Sequence, residues 1–114
     1  ESYKRSATRQ LGNRNKKRQV WIMLERDVDW KLKSEVYRHG GLCIKLAATG
    51  YAGMPDRLVL IPGGRVVFVE LKAPGKRLRP LQKKRFQELS QLGFKIVKID
   101  SSEQVDEFIA EVFR

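Results

Sequence analysis

Two short apolar runs joined by a Pro-Gly-Gly turn constrain the fold of this chain more than any other feature. Residues 58–61 read Leu-Val-Leu-Ile, and residues 66–71 read Val-Val-Phe-Val-Glu-Leu. Aliphatic, β-branched and aromatic residues favour strands, and a turn with two glycines supplies the positive φ angles that a tight hairpin requires. The stretch therefore predicts an antiparallel β-hairpin.

Charged residues stand at the open end of this hairpin. Asp56 precedes the first strand, and Glu70 lies near the end of the second. With the turn centred between the two glycines, the predicted register places Arg57 opposite Glu70 and Asp56 beside it. Because Glu70 and Lys72 are two residues apart on a strand, their side chains project from the same face. We therefore expect a cluster of two carboxylates and a lysine.

Such a cluster has a catalytic and a structural interpretation. Neighbouring carboxylates raise each other's pKa, and a divalent cation relieves that repulsion. Mg²⁺ prefers carboxylate and carbonyl oxygens and keeps several waters, which suits Asp56, Glu70 and one backbone carbonyl. Lys72 could then orient or deprotonate a water, or stabilise charge on a phosphate. The alternative is a structural ion-pair cluster at a strand end. The apolar flanks and the basic composition favour the catalytic interpretation.

The net charge of +11 and the isoelectric point of about 10.2 predict an acidic partner. The length of 114 residues corresponds to one domain. No apolar run approaches the ~20 residues of a membrane span, and no signal-peptide pattern is present, so we expect nucleic acid and no membrane. The lone cysteine, Cys43, cannot form an internal disulfide, and the lack of a Cys/His cluster excludes a zinc finger.

Residues 1–18 are predicted to form a basic N-terminal arm, and residues 19–114 a single folded domain. This arm is either a disordered tail or a contact for phosphates or for a partner subunit. The arm contains one acidic residue, Glu1. Its basic residues are Lys4, Arg5, Arg9, Arg14, Lys16, Lys17 and Arg18.

Apolar residues at three- and four-residue spacing predict a helix from about residue 20 to residue 39. The stripe comprises Trp21, Leu24, Val28, Leu32 and Val36. Glu25 and Glu35 both border this stripe, where a glutamate is costly unless it is paired. Either glutamate could complete the metal site, and helical geometry alone does not choose between them.

The rest of the chain supplies two strands and two helices. Residues 42–46 and 94–99 are predicted strands, and residues 80–92 are a predicted helix with Pro80 in its first turn. A last helix begins at Ser101, which heads a capping box. The order of helix, strand, hairpin, helix, strand and helix predicts an α/β fold with a small mixed sheet flanked by helices.

A basic run follows the hairpin. Residues 72–85 contain seven basic residues, Lys72 and Arg85 included, and no acidic residue. A solvated helix face is the simplest explanation of such a run, but beside a metal site phosphate contact is the better one. The predicted DNA-binding residues are Lys45, Arg57, Lys76, Arg77, Arg79 and Lys83.

The hairpin and its flanks resemble a known nuclease signature. Pro55-Asp56 followed by Glu70-Leu71-Lys72 resembles the PD-(D/E)xK motif. The longer pattern of Gly-x-Pro-Asp-Arg-Leu, Pro-Gly-Gly and Phe-Val-Glu-Leu-Lys-Ala-Pro-Gly-Lys resembles the virus-type replication-repair nuclease (VRR-NUC) family, from about Met23 to the C-terminus. This resemblance implies a restriction-endonuclease-like core.

The resemblance also implies a Mg²⁺- or Mn²⁺-dependent DNA endonuclease. Its metal ligands would be Glu25, Asp56, Glu70 and the carbonyl of Leu71, with Lys72 as the catalytic lysine. The family's first-helix glutamate, followed by an apolar residue, an acid and a further apolar residue, matches Glu25 better than Glu35. A family glutamine that is thought to position substrate or water corresponds to Gln82, a further catalytic candidate.

Stand-alone phage and bacterial members of the family are thought to cut branched DNA, with resolution of four-way (Holliday) junctions as the leading proposal. A resolvase cuts two strands related by a two-fold axis, so a chain with one site would act as a homodimer. The resemblance implies the cytoplasm of a bacterium or of a phage-infected host cell. The alternatives are a flap, nicking or restriction-type nuclease, and a non-catalytic basic DNA-binding module with structural acids.

Overall fold

The computed structural model describes residues 13–47 and 50–114, with side chains from residue 25 onward. Within these residues, three helices and four strands follow one another in the order that the sequence predicts. They are α1 (Asn13–Arg38), β1 (Leu42–Lys45), β2 (Arg57–Ile61), β3 (Arg65–Leu71), α2 (Pro80–Gln91), β4 (Lys95–Ile99) and α3 (Ser102–Val112). The predicted α/β fold with a small mixed sheet is confirmed. Among the described helices, none has the length and apolar character that crossing a membrane requires.

The four strands form one sheet in the order β1-β2-β3-β4. Neighbouring strands from β1 to β3 are antiparallel, whereas β4 runs parallel to β3. A parallel pair needs a long crossover, and α2 supplies it. Helices α1 and α3 contact each other beneath the sheet, and α2 contacts β4.

Side-chain alternation along β3 divides the sheet into two faces. Val67, Val69 and Leu71 are buried in the core beneath α1 and α3, so Phe68 and Glu70 point to the other face. Helix α1 contributes the predicted residues Val28, Leu32 and Val36 to this core. The two remaining stripe residues, Trp21 and Leu24, lie outside the part of the chain whose side chains are described.

The hairpin register differs from the prediction by one residue. Arg57 pairs with Val69 rather than with Glu70, because pairing begins at Ile61 and Arg65. Pro62 lacks an N–H to donate to the ladder and joins the two glycines in a three-residue turn. A shift of one residue exchanges the faces of a strand, so Arg57 and Glu70 lie on opposite faces of the sheet.

Helix α1 begins at Asn13, well before the predicted start near residue 20. Lysine, arginine and glutamine are good helix formers without any apolar periodicity, so a search for an apolar stripe misses this part of the helix. The predicted boundary between residues 18 and 19 therefore falls within α1. The rest of the predicted basic arm, residues 1–12, lies outside the described residues.

Side chains cap the starts of the two shorter helices. Gln82 Oε1 accepts the backbone N–H of Arg79 at 2.8 Å before α2. Pro80 has no N–H and therefore needs no acceptor in this first turn. Ser101 Oγ accepts the N–H of Gln104 at 3.1 Å before α3. The predicted starts of both helices are confirmed.

The core of α1 can be tested with two substitutions on the same helix. Leu32 is 0% exposed, whereas Trp30 is 53% exposed. Leu32→Ala should lower the free energy of unfolding by roughly 2–5 kcal/mol, because it removes buried methyl groups and leaves a cavity. Trp30→Ala should change the free energy of unfolding by less than about 1 kcal/mol. Urea unfolding measures both, and equal losses would contradict the assigned faces of α1.

Candidate active site

Glu70 is the buried acid around which the site is built. Because Val69 and Leu71 point into the core beneath α1 and α3, alternation turns Glu70 toward α2. The residue is 3% exposed, and its Oε2 accepts a hydrogen bond from Gln82 Nε2 at 3.0 Å. Lys72 Nζ lies 3.4 Å from the same oxygen. The other oxygen, Oε1, is buried and has no hydrogen-bond partner among the described residues.

The electrostatic environment of Glu70 disfavours a carboxylate without a further cation. Burial raises the pKa of Glu70 above its ordinary value, and the negative charge of Asp56 raises it further. The ammonium of Lys72, and after it the backbone N–H of Asp56, act in the opposite direction and lower the pKa of Glu70. Glu70 Oε1 has no hydrogen-bond partner among the described residues, and a second negative charge, that of Asp56, lies nearby. A bound cation would pair with this oxygen and reduce the repulsion between the two carboxylates.

Asp56 reaches the end of β3 from the start of β2. Its Oδ2 accepts the backbone N–H of Leu71 at 3.0 Å, and its backbone carbonyl accepts the N–H of Leu46. The preceding residue, Pro55, is fully buried and anchors the backbone at this point. The structure therefore brings Asp56 beside Glu70, although the hairpin register differs from the predicted one.

Lys72 and Leu71 lie where β3 ends. The backbone N–H of Lys72 donates to Ile99 at 3.1 Å, which continues the pairing with β4 and holds the lysine backbone in place. The Lys72 side chain shares the face of Glu70, as strand alternation predicts. Leu71, a candidate for a carbonyl ligand, uses its N–H to orient Asp56.

Gln82 is buried between the helix start and the acid. Its Oε1 accepts from the backbone of Arg79, and this contact directs Nε2 toward Glu70. The family resemblance implies that Gln82 positions substrate or water. In this structure its amide group orients Glu70 itself.

The structure does not bring Glu25 or Glu35 of α1 into one cluster with Asp56 and Glu70. Among the described residues, no three His, Cys, Asp or Glu side chains are close enough to hold a metal ion. Helix α1 reaches the site end of β2 at Asp29, and Glu25 lies one turn away, about 6 Å along the helix axis. Glu35 lies toward the other end of α1 and pairs with Arg38 at 2.6 Å. Of the two candidates, Glu25 is therefore nearer to the site.

Arg57 has a structural partner on the α1 side of the sheet. Its Nε lies 3.0 Å from Asp29 Oδ1 and one terminal nitrogen lies 2.8 Å from Oδ2, which is a two-point ion pair. This geometry is the strongest that arginine makes with a carboxylate. The contact fastens β2 to α1 and occupies the guanidinium that the sequence assigns to DNA.

The other predicted DNA-binding residues are all exposed. Three of them lie on the loop between Lys72 and α2, one lies in the first turn of α2, and one ends β1 beside Arg57. They surround the end of the sheet where Asp56 and Glu70 meet. These residues are Lys76, Arg77, Arg79, Lys83 and Lys45.

Arg85, the last member of the basic run, is buried instead. Its Nε donates to the carbonyl of Ala52 at 2.8 Å, and its guanidinium carbon lies 3.6 Å from the ring centre of Tyr51. The sequence does not predict this role, because Arg85 lies in the basic run that is assigned to phosphate contact. A signal was present, since Gln82, Arg85 and Glu88 are spaced by three residues and share one face of α2.

The structural role of Arg57 predicts a specific effect of substitution. Arg57→Gln should lower the free energy of unfolding by roughly 1–3 kcal/mol, because it leaves Asp29 without its charged donor. The salt dependence of DNA binding should stay unchanged. Lys83→Gln is the matched control: stability should hold, and the slope of log affinity against log salt should fall by about 1. A flatter salt slope for Arg57→Gln, without lost stability, would contradict this assignment.

Comparisons with known proteins identify the family and agree with the fold. The sequence model of the VRR-NUC domain matches residues 23–103. A protein of Acyrthosiphon pisum secondary endosymbiont phage 1, p44, which is assigned as a nuclease, is 38% identical over 82 residues, or 72% of this chain and 88% of p44. A solved structure of a VRR-NUC domain superposes with a TM-score of 0.71 at 32% identity and covers 75% of this chain and 94% of that one. The chain therefore belongs to the VRR-NUC nuclease domain family.

Proposed function

We propose that this nuclease is a metal-dependent endonuclease that hydrolyses phosphodiester bonds in DNA. The observation that carries this proposal is the buried Oε1 of Glu70, which has no hydrogen-bond partner among the described residues and lies beside Asp56 and Lys72. A structural ion-pair cluster would satisfy its buried acceptors, because an unsatisfied buried oxygen lowers stability. A divalent-cation site instead leaves an acceptor open for its ligand.

The residues present fit Mg²⁺ or Mn²⁺. Asp56, Glu70 and the backbone carbonyl of Leu71 offer the hard oxygen donors that these ions prefer, and Glu25 from α1 is the candidate for a further carboxylate. When bound, the ion would lower the pKa of a water molecule and offset negative charge on the scissile phosphate. Gln82 holds one oxygen of Glu70 and so leaves Oε1 as the oxygen available to a ligand.

Lys72 supplies the positive group of the reaction. Its ammonium is fixed beside Glu70 by the strand end and by the ion pair at 3.4 Å. From this position the ammonium can orient the attacking water or stabilise the charge that develops on the phosphate, and only its neutral amine form could accept a proton from that water. The buried surroundings of Glu70 strengthen such electrostatic contacts relative to water.

The exposed basic residues around the site provide the contact to DNA. Phosphate contacts from lysine and arginine supply most of the sequence-independent affinity for DNA and make it sensitive to salt. The basic loop follows Lys72 directly, so a bound phosphate backbone would pass over Asp56 and Glu70. The net charge of +11 supports the same polyanionic partner.

We propose four-way DNA junctions as the substrate and a homodimer as the active form. A junction resolvase must make two symmetric cuts, and each chain has one acid pair of this kind among its described residues. The similarity to the phage protein p44 supports action in a bacterial or phage-infected cell. Flap, nicking and restriction-type cleavage are the competing substrate preferences.

A panel of labelled DNA substrates tests the proposal. We expect symmetric cuts on a four-way junction with Mg²⁺ or Mn²⁺ and no cuts with EDTA. Linear duplex, nicked duplex, flap and single-stranded DNA should be cut far less. Cleavage of flaps or single strands would support nuclease activity but exclude a preference for four-way junctions. Tight binding without cleavage in any metal would favour a non-catalytic DNA-binding module.

Two variants serve as controls for the same assay. Asp56→Asn and Lys72→Ala should each lower the cleavage rate by at least about 10²-fold, because each removes a group that acts on the reacting atoms. Their affinity for the junction should stay close to that of the wild type. Cleavage at the wild-type rate by either variant would exclude this site.

A further inference from the structure

Arg85 is a buried cation within a run of exposed ones. It is 8% exposed, whereas Lys83 and Lys84 on the same helix are exposed. A buried charge is costly unless polar partners surround it. Arg85 has three partners: the carbonyl of Ala52 at 2.8 Å, the ring of Tyr51, and the carboxylate of Glu88 at 3.3 Å.

These contacts fasten one loop to helix α2. Ala52 and Tyr51 belong to the loop of residues 50–53, and the Tyr51 hydroxyl also donates to Glu88 on α2 at 2.8 Å. The next residue, Gly53, has a φ of 87°, and a Cβ added there would lie 2.8 Å from Leu81 Cγ. The loop backbone therefore lies directly against α2, and Arg85 holds it there.

The fastened loop leads into the proposed metal site. After Gly53 the chain passes through the buried Pro55 to Asp56, whose carboxylate lies at the end of β3. On the same helix, Gln82 lies one turn before Arg85 and hydrogen-bonds Glu70. Helix α2 thus holds one acid of the pair directly and the other through the loop.

We propose that Arg85 is a positioning residue that sets the place of Asp56 relative to Glu70. It acts through the loop of residues 50–53 and touches neither acid nor the DNA. This inference rests on the proposed function of Asp56 and Glu70 as ligands of a divalent cation. It assigns Arg85 a role different from that of the exposed members of the basic run.

The planar guanidinium is the feature that this role requires. It stacks on an aromatic ring while its edge donates to a carbonyl and to a carboxylate. Lysine has no flat face, and its three donors are on a single nitrogen. Arg85→Lys therefore keeps the charge and removes the geometry. Lys83→Gln, on the exposed side of α2, removes a charge and keeps the geometry.

Calorimetry of Mn²⁺ binding in the absence of DNA distinguishes the loss of the guanidinium geometry from the loss of an exposed positive charge. Arg85→Lys should weaken Mn²⁺ binding by about tenfold or more, as loss of groups that support metal ligands commonly does. The affinity for a four-way junction, measured in EDTA, should stay within about twofold of the wild type. Lys83→Gln should show the reverse, with unchanged Mn²⁺ binding and weaker DNA binding. Raised Mn²⁺ should restore part of the cleavage rate of Arg85→Lys.

A second variant keeps the inference testable if Arg85→Lys does not fold. Tyr51→Leu removes the stacking partner from the exposed loop and should also weaken Mn²⁺ binding while α2 stays intact. Unchanged Mn²⁺ binding in a folded variant would overturn the inference, as would a loss of DNA affinity alone. If Asp56→Asn abolishes Mn²⁺ binding and Arg85→Lys does not alter it, only the positioning role fails. If wild-type protein binds no Mn²⁺, the proposed function itself fails.

Discussion

The burial of the Glu70 carboxylate is the interaction on which the rest of the site depends. Removing an ionised group from water costs several kcal/mol unless neighbouring groups compensate for it. Here Gln82 donates one hydrogen bond and Lys72 supplies one positive charge, while Oε1 has no partner among the described residues. Burial and the negative charge of Asp56 raise the pKa of Glu70, which agrees with an oxygen that has no hydrogen-bond partner within the described residues. A divalent cation would complete the compensation.

The site is precise because it lies on the central part of the sheet. Strand β3 pairs on both sides, and its alternate residues Val69 and Leu71 lie in the main core. Glu70 between them cannot shift without disturbing that core. Functional groups on strands and helices that are locked by packing keep their geometry better than groups on loops. Asp56 lies in the segment that leads into β2, and buried Pro55, the N–H of Leu71 and the loop held by Arg85 supply the support that it needs.

The sequence was sufficient for the features that local chemistry determines. Apolar runs, the Pro-Gly-Gly turn and helix caps predicted the order of the elements, and alternation along β3 placed Glu70 with Lys72 on one face. The register was off by one residue because Pro62 cannot donate to the ladder and becomes part of the turn. The helix start near residue 20 was wrong because its first turns have no apolar stripe.

Charge patterns were a weaker guide than apolar patterns. The sequence assigns Arg57 and the basic run that contains Arg85 to phosphate contact, yet both arginines are held by partners that are distant in sequence, Asp29 and Ala52. The spacing of Gln82, Arg85 and Glu88 indicates a shared face of α2, but no local pattern reveals the distant partners, because these contacts arise only when the chain folds. The choice of Glu25 over Glu35 came from the family resemblance and stays a prediction.

The most direct test of the site is the location of Mn²⁺ in crystals of the protein grown with that ion. Anomalous scattering should show one strong peak bonded to the carboxylates of Asp56 and Glu70, and the peak should vanish in Glu70→Gln. Crystals with an ordered Asp56 and Glu70 but no peak, or with the peak bonded to other residues, would contradict a metal-dependent nuclease site at the end of β3.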